Sequence, residues 1–424
     1  MDHISKIEGA ATLDVRLKDD KVEYVHMKIL EHKRFYTKAI EGKPIVALPQ
    51  LLSRICGTCS NAHIMASIEA CEHALGIEPS PQTMLLRHLT MNGLNIRDHA
   101  LHLYLFAMPD VVGKDAFLDF DEDDEFEHQM LHDGFGIKAA GNHLAELVAG
   151  RSVHAQFPAI GGFMKFPDKE GIEESIKKLQ EIREAVLRCI KVFMDCDFKF
   201  DRHTNFMGLV PKDQYGFLDG DVVTSKGEVV PEDGFRDLLE HVVIPYSMAS
   251  GYVHKGEPFM IGSLARINLA QDKLMDSTKK SAADALALFP STNIFHNNLA
   301  QAIEILHCVD QSLDIFANNE FTPEERIAIP KRAGVGVGVV EAPRGTLYHK
   351  VEVGEDGIVK SGEVIVPTGM NQINMEYDIG GLIEQMLAKK TSEEEMMFEM
   401  EKLIRAYDPC MSCASHFLKV NWKK

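Results

Sequence analysis

Arg54-Ile55-Cys56-Gly57-Thr58-Cys59-Ser60-Asn61-Ala62-His63 and Asp408-Pro409-Cys410-Met411-Ser412-Cys413-Ala414-Ser415-His416 are the two stretches that decide how this chain is read. Each holds a Cys-x-x-Cys pair. Two thiolates two residues apart can face one metal ion, so two such pairs make a possible four-thiolate site. A local zinc ribbon spaces its pairs about 15–20 residues apart, whereas here almost the whole chain lies between them. If the pairs meet, the protein folds around the metal, and the metal is its purpose rather than a staple. Soft thiolates suit nickel, iron and zinc alike, so ligand type alone leaves a structural four-cysteine zinc site open.

The rest of the composition narrows the setting. A hydrophobic content of 45% and a charged content of 26% over 424 residues are those of a globular chain with a large core. A formal charge of −19 argues against a nucleic-acid surface and against an anionic membrane. No apolar run approaches the roughly 20 residues that span a bilayer. Met1-Asp2-His3-Ile4-Ser5-Lys6-Ile7-Glu8 lacks the basic and apolar regions of a signal peptide, so the expected location is the cytoplasm. Thiols stay reduced there, and Cys-x-x-Cys points to metal or redox chemistry. The other four cysteines, Cys71, Cys189, Cys196 and Cys308, are single, stand in helix-like surroundings and are expected in the core.

Leu13, Val15 and Leu17 alternate with polar residues, and Asp19-Asp20 offers a turn into a second strand over 22–29. Helical spacing covers 60–75 and 81–108, and Asp168 is placed to cap a helix running to Cys196 with Ile172, Ile176, Leu179, Ile182 and Val186 on one stripe. A mixed region at 206–265 contains a hairpin across Ser225-Lys226-Gly227. A long helix follows over 293–317, then strands over 334–367 with a turn at Gly354-Glu355-Asp356-Gly357. Helices near 378–389 and 393–407 lead into the second Cys pair. There is no repeat or low-complexity linker.

Together these motifs resemble the large, catalytic subunit of nickel–iron hydrogenases. The likeness adds Lys6-Ile7-Glu8-Gly9, His99-Ala100-Leu101-His102 with Pro109-Asp110, and Gly150-Arg151-Ser152-Val153-His154 with Gly161-Gly162. It also adds Glu341-Ala342-Pro343-Arg344-Gly345 and Val366-Pro367-Thr368. It is strongest to the cytoplasmic, bidirectional branch: methyl-viologen-reducing, deazaflavin-reducing, NAD(P)-linked and electron-bifurcating enzymes. The resemblance implies an α+β, helix-dominated fold: one domain over 1–424, with a central long-helix bundle and peripheral β-hairpins. It implies reversible heterolytic cleavage of dihydrogen at a nickel–iron centre whose iron carries two cyanides and one carbon monoxide. All four cysteines would bind nickel, with Cys59 and Cys413 bridging to iron and Cys56 and Cys410 terminal.

Further roles follow from the same resemblance. Glu8 would relay the proton from Cys410. Arg344 would overhang the open metal position, held by Asp110 and Asp408. Thr368 would donate to an iron-bound cyanide, Pro367 would line the pocket for the diatomic ligands, and His63 would stand behind the cysteines. His416 and the Val364 carbonyl would bind a structural magnesium. The family's glutamate for that ion falls on Thr37 here, leaving Glu31 or Glu41 as substitutes. Residues 417–424 look like a short peptide that a maturation endopeptidase removes after His416. With no further Cys cluster in the chain, electrons would leave through an iron–sulfur small subunit, then through flavin or iron–sulfur diaphorase or reductase subunits. The other readings are a hydrogen sensor of the same fold and the quinone-pocket subunit of respiratory complex I. The full set of four cysteines argues against the second.

Overall fold

A computed structural model describes residues 4–19, 21–31 and 35–415 of the chain. The expected N-terminal hairpin pairs Ala11–Lys18 with Lys21–Ile29 in antiparallel register, burying Leu13, Met27 and Ile29. Asp20 of the expected turn lies outside the described residues.

Long helices make the body: Ser60–Leu75, Pro81–Ala100, Glu125–Ala149, Lys169–Asp195, His296–Asn318 and Pro367–Ala388, with Glu393–Ala406 leading to the second Cys pair. Lys169–Asp195 starts as expected, the Asp168 carboxylate accepting the Gly171 N–H at 2.8 Å, and it buries Leu179, Ile182 and Val186. The 81–108 stretch changes its winding: Leu101–Ala107 is π-helical before α-helix resumes at Met108–Val112. The Glu125–Ala149 helix is not among those expected from the sequence, because Gly134, Gly136 and Gly141 weaken its pattern. Pro367–Ala388 begins well before the expected 378. Pro367 takes the first helical position, where its missing N–H costs nothing, so Thr368 sits on a helix turn rather than in an isolated loop.

The strands between 334 and 365 form an antiparallel meander, Gly334–Ala342, Gly345–Val353 and Val359–Ile365, with the expected turn closed by the Gly357 N–H on the Gly354 carbonyl. A second sheet, ordered Phe259–Met260, Asn205–Val210, Asp221–Thr224, Val229–Pro231, contains the expected hairpin across 225–227.

How the meander meets the helices decides where the site forms. In Gly334-Val335-Gly336-Val337-Gly338 every second residue lacks a side chain, and that face lies flush on the 60–75 helix. A Cβ would fall 2.0 Å from the Ala74 carbonyl oxygen at Gly334, 2.0 Å from that of Ala70 at Gly336, and 2.3 Å from that of Ala66 at Gly338. The periods match: four helical residues rise about 6 Å and two strand residues about 6.8 Å. Glycines two apart therefore register with alanines four apart. Because the helix begins immediately after Cys59 and the first strand ends immediately before Arg344's turn, this interlock fixes one against the other.

One hydrophobic cluster runs from Ile4 to Ala414, and a smaller one gathers Phe235, Tyr252, Phe259 and Tyr348 under the second sheet. Of the four single cysteines, Cys71, Cys189 and Cys308 are buried as expected. Cys196 is only half-buried, because it stands where the 169–195 helix ends. No helix among the described residues is long and apolar enough to cross a membrane.

Candidate metal centre

The two Cys pairs meet. Cys56 and Cys59 close the short helical turns over 48–55 and open the 60–75 helix, while Cys410 stands at the N-terminal end of the short Met411–Ala414 helix and Cys413 lies within it. All four are buried. The contact is matched, first with first and second with second: Cys56 Sγ lies 3.5 Å from Cys410 Sγ, and Cys59 Sγ 3.2 Å from Cys413 Sγ. These separations are far beyond the roughly 2.05 Å of a disulfide.

Electrostatics tests whether such a cluster fits a metal. Hydrogen bonds from Cys410, Cys413 and Cys59 hold the Cys56 thiol well below its ordinary range, whereas Cys413, Cys56 and Cys59 push Cys410 well above it. One thiolate is tolerated at the others' expense. Four buried thiolates need a cation among them, and a thiophilic metal supplies it. Among the described residues, Cys56, Cys410 and Cys413 form one group of donors close enough to share an ion, and Cys59, His63 and Cys413 form another. The donor set therefore fits a metal bridging both pairs.

Glu8 reaches the cluster from the N-terminal segment. Its main chain bridges to Cys410, with the Met411 N–H on the Glu8 carbonyl at 3.0 Å. Its carboxylate accepts from Cys410 Sγ at 3.1 Å, from the Ser412 N–H at 3.0 Å and from Ser412 Oγ. The Cys410 N–H donates to Thr368 Oγ1 at 2.9 Å, and the Thr368 carbon framework and Pro367 open the helix behind it. His63 Nε2 lies 3.7 Å from Cys413 Sγ, and its Nδ1 faces His349 Nε2 at 3.1 Å.

Arg344 projects from the two-residue turn between Ala342 and Gly345. It pairs with Asp408 through Nε at 3.1 Å and with Asp98 through Nη1 at 2.8 Å. Its Nη1 also meets Thr58 Oγ1 at 3.5 Å, and Thr58 in turn contacts Cys56 Sγ at 3.2 Å. Burial alone would weaken the guanidinium's hold on its proton, but Asp408 and then Asp98 keep it well above the usual arginine range. It is a fixed cation beside the thiols.

Asp110 is not the partner expected for it. The Asp110 carboxylate binds Lys6 Nζ at 2.8 Å and Arg405 Nε at 2.6 Å, because the π-helical stretch intervenes between it and Asp98 and turns it toward the 393–406 helix. Asp98 is the residue that motif reading missed. Its signal was an Arg97-Asp98 pair inside a helix otherwise carrying Met91, Leu94 and Ile96, a place where charge is rare unless paired.

Of the proposed magnesium ligands, His416 lies outside the described residues, as does the 417–424 tail. Val364 is buried in the third strand of the meander and Thr37 is on the Tyr36–Ala39 helix. Glu31 accepts the Ala10 N–H at 3.1 Å, Glu41 pairs with Lys38, and among the described residues neither belongs to a donor group.

The family model described as nickel-dependent hydrogenase matches residues 37–133 and 244–416, the spans that carry both Cys pairs, Arg344 and Thr368. The chain belongs to the nickel-dependent hydrogenases. Among curated relatives of this hydrogenase, the alpha chain of sulfhydrogenase 1 from Pyrococcus furiosus is 31% identical over 99% of this chain and 98% of the relative. One chain of the F420-non-reducing hydrogenase of Methanothermobacter marburgensis is 29% identical over 98% and 94%. Among solved structures, an NAD+-reducing [NiFe]-hydrogenase in the H2-reduced state superposes with a TM-score of 0.85 at 25% identity, covering 98% of each chain. The Ni-Fe-Se hydrogenase of Desulfovibrio vulgaris Hildenborough shares the fold, with a TM-score of 0.80 at 21% identity over 98% and 99%. This hydrogenase is a large subunit, helix-dominated α+β, and an oxidoreductase acting on dihydrogen.

Proposed function

We propose that this hydrogenase cleaves dihydrogen heterolytically and reversibly at the crossing of the two Cys pairs, with the proton leaving through Cys410 and Glu8. The observation that carries this reading is the contact between Cys410 Sγ and Glu8 at 3.1 Å inside a buried four-thiol cluster. When bound, the nickel–iron centre supplies the site where the H–H bond is polarised and its electrons are taken up. Cys56, Cys59, Cys410 and Cys413 would hold the nickel, and Cys59 and Cys413 would also serve the iron. Cys410 Sγ receives the proton and passes it to the Glu8 carboxylate, which the Ser412 N–H and hydroxyl keep aimed at the sulfur. Arg344, fixed by Asp98 and Asp408, stabilises negative charge that builds over the thiols without reorganising. Pro367 and Thr368 would line the pocket for the iron's two cyanides and one carbon monoxide.

The wider assembly is part of the same proposal. The chain folds as one domain over 1–424, in the cytoplasm, and an endopeptidase removes its 417–424 tail after His416 to give the active enzyme. Electrons pass to an iron–sulfur small subunit, and from there to diaphorase or reductase subunits, which fits a relative named as the alpha member of its enzyme. His416 and the Val364 carbonyl would hold a structural magnesium.

The deciding experiment is purification of the native complex, with nickel, iron, zinc and magnesium measured per chain and the co-purifying chains identified. Equal nickel and iron with an iron–sulfur partner is the expected result. Zinc without nickel would overturn the proposal.

A further inference from the structure

Resting on the reading of Arg344 just given, we infer that Arg266, clamped by Glu304 and Glu341, is a positioning residue that sets where the Arg344 guanidinium stands over the thiols.

The Arg266 guanidinium is fully buried and every one of its N–H groups is taken. Nε donates to Glu304 Oε1 at 2.6 Å, and Nη2 to Glu304 Oε2 at 2.7 Å and Ser263 Oγ at 2.9 Å. Nη1 donates to Glu341 Oε2 at 2.8 Å. The main-chain contacts fall at one place: the second Nη1 N–H donates to the Ala342 carbonyl oxygen at 3.0 Å, and an Nη2 N–H is shared with that of Pro343 at 3.3 Å. Those are the two residues immediately before Arg344. The turn also has no slack on its other side, where a Cβ on Gly345 would fall 2.8 Å from Ile261 and 2.9 Å from the Gly262 N.

The anchor is a buried polar stripe along one helix. Asn297, Gln301 and Glu304 recur at four- and three-residue spacing on one face of His296–Asn318. Asn297 binds the Ala406 carbonyl at 2.8 Å, and Gln301 Nε2 donates to Asp408 Oδ2 at 3.0 Å. Glu304 takes Arg266, His99 Nε2 at 2.9 Å and the Ser263 hydroxyl at 2.6 Å. One helix face thus braces both halves of the Arg344–Asp408 pair: the carboxylate through Gln301, and the backbone of Arg344 through Glu304 and Arg266.

Stability is a poor explanation for such an arrangement, since well-packed apolar residues often replace a buried ion pair without loss. Position is a better one. A fixed cation acts on a reacting centre only if its placement holds to a fraction of an ångström, and an error near 1 Å costs about a hundredfold in rate.

The test is a double-mutant cycle on the purified holoenzyme complex. Dihydrogen–deuterium exchange, which needs no electron acceptor, and nickel per chain are read for the parent, R266K, R344A and R266K/R344A. Lysine keeps the charge but not the fork that reaches Glu304, Glu341 and two carbonyls together. R266K should lower exchange about tenfold or more in the parent, but less than about twofold once Arg344 is absent, with nickel per chain at the parent level throughout. S263A, which removes one neutral partner, should show the same coupling with a smaller loss, and it carries the cycle if R266K does not accumulate. Equal losses with and without Arg344, or a loss of nickel that tracks the loss of exchange, would overturn the inference. An R344A enzyme as fast as the parent would instead refute the role given to Arg344 itself, and the brace with it.

Discussion

Replacing Gly336 with alanine isolates the interlock that sets the first Cys pair against the Arg344 turn. The new Cβ would stand 2.0 Å from the Ala70 carbonyl oxygen and 2.3 Å from the Ala74 N, both backbone atoms that cannot rotate away. Ordinary contact needs more than about 3 Å, so strand and helix must separate by about 1 Å or more, and overpacking of this kind costs about 1–3 kcal/mol. The strain falls between Cys59 and Arg344, so nickel occupancy should drop along with stability. The matched control is Gly136→Ala. That position is helical and has nothing within 4 Å of an added Cβ, so the substitution should stabilise by about 0.5–1 kcal/mol. Melting temperature at a fixed scan rate and nickel per chain, measured on both variants, form the assay. A G336A protein that melts with the parent and binds full nickel would refute the flush packing on which the site's geometry rests.

Other perturbations address the site's parts. Glu8→Gln keeps the hydrogen-bonding shape beside Ser412 but removes the proton acceptor, so turnover should fall by about 10²-fold or more with nickel content unchanged; parent-like turnover would remove Glu8 from the proton route. Asp98→Asn and Asp110→Asn each break a buried ion pair, so both should lower the melting temperature, at about 3–5 kcal/mol. Only Asp98→Asn should also slow exchange per nickel-loaded chain; equal losses of exchange would undo the division of labour between the two aspartates. Burial, with Asp219 and Asp221 nearby, raises the Glu232 carboxyl to about 8. The folded chain therefore binds a proton there that the unfolded chain releases near 4.5, so this contribution to stability is fully present below pH 4.5 and is lost as pH rises from there to about 8. Urea unfolding at pH 5 and 8 should show that decline in the parent and a flatter profile in Glu232→Gln; identical slopes would contradict it.

Much of the site was legible because its chemistry is written locally. Cys-x-x-Cys puts two thiols on one side of a turn wherever it occurs, Asp168 caps a helix with its own carboxylate, and alternating Leu13, Val15 and Leu17 make a strand from their spacing alone. Glu8, Arg344 and Thr368 were readable only through the company of neighbouring motif residues. The partner of Arg344 was not readable at all. Asp98 and Asp110 lie on one continuous helical stretch, and seven π-helical residues between them decide which of the two turns toward Arg344.

By itself the sequence determined which donors exist, four thiols in two doublets, and which local elements carry them, because backbone propensity and short-range hydrogen bonds act over a few residues. Only the tertiary structure decided that residues more than three hundred positions apart bring Cys56 to Cys410 and Cys59 to Cys413. The same packing gave Asp98 to Arg344 and bound Arg266 to the turn before it. Those pairings depend on how the glycine-lined strand seats on the alanine face of a helix and how buried charges find their counter-ions. Burial makes an unpaired charge too costly to leave, and chain connectivity alone does not say which opposite charge will be near.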